Sequence, residues 1–174
     1  MKTEHHFMQL VADKKTLEKS TNGSITSVIY FDFGKIKFPE KEWSDMTLII
    51  LGWWLKNAQR LITEKSRTEE FMFMDGPFFL RATIKDRESW LLECIDNTNN
   101  SFVEYSQTVS KYEFITTLFK VVGNMLTACE SRGWTSPDID NINKLIRIEK
   151  LDRLKIGPSQ IFKNELTLHL GTQH

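Results

Sequence analysis

The side chains that could do chemistry are few and badly placed for it. All four histidines, His5, His6, His169 and His174, lie in terminal segments, and none falls between residues 25 and 135. A nucleophile and its base must sit within hydrogen-bond reach of each other, so the central part of the chain has no histidine-dependent catalysis to offer. No GxSxG, HExxH or GxxxxGK(S/T) motif is present. Cys94 and Cys129 are far apart, with no CxxC, so neither a zinc site nor a disulfide scaffold is indicated. Each falls on an apolar stripe, where cysteine packs as a small hydrophobe. Carboxylates remain: Asp32, Asp45, Asp75, Glu93 and Asp96. A working pair would have to converge to roughly 5–9 Å. Asp75 is explained by turn geometry and Asp45 by helix capping, while Glu93 points opposite Cys94, toward solvent. The expectation is no catalytic residue, no metal ligand and no cofactor.

Bulk composition narrows the partners. The 174 residues carry 23 basic and 23 acidic side chains. The balance also holds locally, with 11 basic and 10 acidic groups in residues 1–70, 6 and 8 in 71–136, and 6 and 5 in 137–174. Nucleic-acid binders concentrate Lys and Arg against phosphate, so that class is disfavoured. The longest apolar stretch, near Met46–Leu55, is too short for the roughly 20 residues that cross a bilayer. No apolar leader follows the N-terminal MKTEHHFMQL, and two unpaired cysteines suit a reducing compartment. A cytoplasmic protein that binds neither membrane nor nucleic acid is expected. Aromatic residues are 11% of the chain, with 12 Phe, 5 Trp and 3 Tyr. Most should fill a core, and a few are candidates for a recognition surface.

The elements that would position these groups read as follows. Residues 1–24 are polar, with a short helix expected over Val11–Lys19 and a turn at TNGS. Ile25–Phe33 and Lys35–Phe38 are strand-like. Ser44 or Asp45 is placed to cap a helix that runs to Ile62. The first half of this helix is apolar nearly all round, so it must be covered on two sides or dock a partner. Glu69–Met74 and Pro77–Ile84 flank Asp75-Gly76, a hairpin signal. Ser89–Asp96 and Phe102–Val109 follow after polar turns, the last with Val103, Tyr105 and Val109 on one face. Ser110-Lys-Tyr-Glu113 fits a capping box for a second long helix that stops at Gly133. Ser136-Pro137 starts a third helix, and Leu166, Leu168 and Leu170 alternate as in a short strand. The fold class is α+β. An antiparallel sheet, a meander of about four strands plus an N-terminal strand or hairpin, packs against two long helices, with a C-terminal helical extension. The divisions are 1–24, a single domain over 25–134, and 135–174 packed on the same domain.

FPEKEWSD (38–45), an aliphatic run ending in Gly-Trp-Trp-Leu (52–55) and FMDGPFF (73–79), in that order, resemble small bacterial immunity proteins of polymorphic toxin systems over residues 25–134. The resemblance implies a non-enzymatic protein that binds and neutralises a cognate toxin domain, and it carries no catalytic residues across. Phe38 and Trp43 would then be core anchors. The balanced charge departs from the acidic character common where the toxin is a basic nuclease. The candidate partner-binding residues are Glu40, Glu42, Trp43 and Trp53, on the approach to the first helix, with the open face of the sheet as a second surface. The competing expectations are a structural subunit that forms a homodimer through Trp53 or the C-terminal strand, and an enzyme built on Asp32, Glu93 and Asp96.

Overall fold

The structure, a computed structural model, describes the backbone of residues 7–155 and the side chains through Arg147. Two compact units divide the chain after Ile142. The first is α+β. Its centre is β3 (Ile25–Asp32), an alternating strand that buries Ile25, Ser27, Ile29 and Phe31 on one face, as a period of two requires. Phe31 pairs with Leu10 of β1 (Gln9–Ala12) and with Phe38 of β4 (Lys37–Phe38), so these strands take opposite edges of β3. β2 (Glu18–Lys19) and β5 (Ser44–Asp45) add short antiparallel pairings. The polar N-terminal segment therefore supplies two strands of this sheet. Val11–Lys19 is not a helix but the end of β1, a single 3-10 turn over Lys14–Thr16, and β2. Asp13 caps that turn by accepting from the Lys15 N–H at 2.8 Å, a local bond that competes with helix propagation.

The second sheet is an antiparallel meander of β6 (Thr68–Met72), β7 (Phe78–Ile84), β8 (Ser89–Asp96) and β9 (Phe102–Ser110). Its inner face carries Phe71, Leu80, Ala82, Trp90, Leu92, Cys94 and Val109. A bulge in β9 changes the expected pattern. Tyr105 lies opposite Cys94 but Val103 lies opposite Ile95, leaving Glu104 as the extra residue. Val103 and Tyr105 therefore face opposite sides, and the nominally polar position Gln107 is buried.

Two helices join the sheets. α1 (Thr47–Ile62) buries Leu51, Trp54, Leu55, Ala58 and Leu61, and α2 (Lys111–Ser131) buries Phe114, Leu118, Val122, Met125 and Cys129. Phe31 is the hub between layers. Its ring stacks on Trp54 at 5.2 Å and on Phe114 at 6.2 Å, and meets Phe73 edge-on. The helices also close sheet edges, which otherwise present unpaired backbone groups. On β1, the Leu10 N–H donates to Thr117 Oγ1 at 3.1 Å, and just before the strand the Met8 N–H donates to Glu113 at 3.4 Å. On β6, the Met72 and Glu70 carbonyls accept from Trp54 Nε1 and Asn57 Nδ2, both at 2.8 Å.

The caps partly depart from expectation. Ser110 caps α2 by accepting from the Tyr112 N–H, but Glu113 reaches across to β1 and does not return to Ser110. Gly133 ends α2 with φ +65, and the Trp134 N–H returns to the Cys129 carbonyl at 3.0 Å, a Schellman closure. α3 (Pro137–Lys155) begins where expected, capped by Ser136 Oγ accepting from the Ile139 N–H. Ile142 is fully buried, and it lies with Asn141 beside Gly52 of α1. The apolar first half of α1 is thus covered from a second side. The boundary between the two units falls inside α3. His5, His6, His169, His174 and the strand expected at Leu166–Leu170 lie outside the described residues.

Candidate functional site

The two motif segments, far apart in sequence, meet at one corner of the first unit. Phe38 is fully buried, edge-on to Phe73 and Phe78. Trp43 is half-buried and packs edge-on against the same two rings, at 6.4 and 5.3 Å. Beneath them lies Asp45, 3% exposed. Its carboxylate accepts from the Met46 N–H at 2.6 Å, Met74 N–H at 3.0 Å, Asp75 N–H at 3.2 Å and Trp43 Nε1 at 3.2 Å. A buried carboxylate is tolerated only with such donors around it. Asp45 is therefore not the side-chain cap of α1. The N-cap position is Met46, with no side-chain cap bond, and Asp45 instead fastens the β6–β7 loop to β5.

That loop is not the tight Asp-Gly turn expected. The β6–β7 ladder extends to a Phe73 N–H bond to the Phe78 carbonyl at 3.0 Å, which leaves Met74–Pro77 as a four-residue connection. Only Gly76 has positive φ, at +124, whereas a type I′ turn needs two such residues. A Cβ on Gly76 would stand 3.0 Å from the Phe78 ring and 3.1 Å from the Trp43 indole, so glycine lets the loop tuck beneath Trp43.

The outside of this corner is exposed. The Glu40–Trp43 turn closes by a 3.3 Å backbone bond and holds Glu42 at φ +65, a costly conformation for a side chain other than glycine. The carboxylates of Glu40, Glu42 and Asp75 have no hydrogen-bond or ion-pair partner among the described residues. Met72 and Met74, on either side of Phe73, are 50% and 37% exposed. The structure thus brings the Glu40–Trp43 turn together with the loop that carries Met74 and Asp75, two residues the sequence reading did not select as partner-binding. The signal for the methionines was the period of two in Phe71-Met-Phe-Met74, which points Phe inward and Met outward. Trp53 stands apart on α1, 39% exposed, with no ring partner among the described residues.

Two of the acidic residues of the competing enzyme reading have local partners. Asp32 accepts from the Gly34 N–H and Lys37 Nζ, and Asp96 from Thr98. Three positions apart on β8, Glu93 and Asp96 face opposite sides of the sheet. Desolvation raises the Glu104 carboxyl above its ordinary value, helped by the nearby Asp96 charge. Both cysteine thiols are buried and pushed up by desolvation, Cys94 strongly. No grouping of three metal-binding side chains occurs among the described residues, and none of the described helices is long and apolar enough to cross a membrane. Comparison of the chain with protein-family models, curated proteins and solved structures finds no match.

Proposed function

We propose that the protein is a binding module of the immunity class, which captures and neutralises a cognate bacterial toxin domain through the Phe38–Asp45 corner. The observation that carries this reading is the meeting of FPEKEWSD and FMDGPFF at one fastened corner, where Trp43 packs on Phe73 and Phe78 and the carboxylates of Glu40, Glu42 and Asp75 have no partner among the described residues. An apolar centre with a charged rim is the composition of a protein interface, and a rigid loop loses little entropy on docking. The test is co-expression with the C-terminal domain encoded by the adjacent upstream reading frame. Cells should survive, and the two chains should co-purify. Glu42→Lys combined with Met74→Asp should weaken binding about tenfold or more, the scale of a central contact. The absence of both rescue and binding would overturn the proposal. Full binding by the double variant would move the interface away from this corner.

A further inference from the structure

Of the sheet edges in the first unit, β1 and β6 are closed by helix side chains, whereas β9 is the terminal strand of the second sheet and the longest strand among the described residues. The direction of its backbone groups follows from the ladder. The Lys111 N–H donates to the Glu88 carbonyl at 2.9 Å, continuing the β8–β9 register. Bond direction alternates along an antiparallel strand, so Tyr105, Gln107 and Val109 turn their N–H and C=O toward β8, while Ser106 and Thr108 turn theirs outward. The outward groups have no backbone partner among the described residues. No proline blocks the edge, and Glu104 is the only charged residue on the strand.

We infer that this edge pairs with the same edge of a second copy, in a two-fold symmetric dimer whose sheet runs through both molecules. Self-pairing about Gln107 sets Ser106 against the second copy's Thr108 and the reverse. Each such pair exchanges two N–H···O=C bonds, so four form in all. The same register sets Glu104 opposite Ser110, and the second copy's Glu104 likewise, so no carboxylate faces a carboxylate, an arrangement that would oppose pairing. Both strands present one patch to itself, as a two-fold interface requires. The bulge at Val103–Tyr105 ends the regular edge, which limits the association to a pair of short segments. An interface this small lies below the standard size of about 1,600 Å², so the dimer is a weak one that forms at roughly micromolar concentration and above.

The experiment is light scattering on the full chain across a concentration series, with Ser106→Pro and Thr108→Pro beside it. Proline removes an outward N–H and is tolerated on an edge strand. The average mass should rise toward twice the monomer for the natural sequence and stay at the monomer for both variants. A monomer at all concentrations overturns the inference, and so does a dimer that both proline variants keep. Should the variants fail to fold, amide hydrogen exchange on the natural protein decides. Protection of the Ser106 and Thr108 amides that grows with concentration supports the pairing, and fast exchange at every concentration overturns it.

Discussion

Asp45 and Gly76 show how single residues hold the proposed interface. Asp45 gathers four N–H groups in a site 3% exposed. Asp45→Asn replaces one accepting oxygen by a donor that faces other donors, and it should cost about 3 kcal/mol of stability, the scale for leaving charged-acceptor bonds unmade. Urea denaturation measures it, and a loss under about 1 kcal/mol would show that the corner is not fastened this way. Gly76→Ala meets ring atoms at 3.0–3.2 Å at a φ of +124; it should cost about 2 kcal/mol and shift tryptophan fluorescence through Trp43. Glu104 gives the pH dependence. Its folded-state pKa is raised, so the folded state holds the proton more tightly than the unfolded one. Stability from this group is therefore full below the ordinary glutamate pKa and is lost as pH rises through the raised value. Glu104→Gln should remove that decline, leaving the protein more stable than the natural sequence at neutral pH, as thermal melts across pH 3–7 would record.

The elements were legible where period and punctuation agreed. β3, the meander, both long helices and the Gly133 stop all follow from alternation, a 3.6-residue stripe or a positive-φ glycine. What escaped were features set by partners distant in sequence. Residues 9–19 carry a weak pattern of their own and become strands because β3 offers them edges. Glu113 has the spacing of a capping box, but the Met8 amide just before β1 competes for it. The β9 bulge reverses side-chain parity without any residue type that announces it. The site was half legible: Trp43, Glu40 and Glu42 stood out by type, while Asp45 was read as a cap because two of its four donors lie 29 and 30 residues away. At this scale Glu64 offers a gain. It follows α1 at φ +53, the position where helices favour glycine. Glu64→Gly should stabilise the protein by about 0.5–1 kcal/mol in thermal or urea unfolding.

At the scale of the first unit, the two sheets and two helices share the ring cluster around Phe31. Phe31→Ala opens space against Trp54, Phe73 and Phe114 together and should cost about 3–5 kcal/mol. Because the cluster belongs to both sheets, unfolding should remain one cooperative transition, with far-ultraviolet dichroism and tryptophan fluorescence coinciding. Separate transitions would mean that the sheets are independent. The closure of β1 by α2 has a consequence for biosynthesis. Met8 and Leu10 find their helix partners 105 and 107 positions later in the chain. Chains emerge N-terminus first, so β1 waits, its outer amides open, until the first two turns of α2 have been made. A nascent chain arrested before Thr117 should therefore expose β1 to chaperones and proteases, whereas one released beyond Gly133 should hide it.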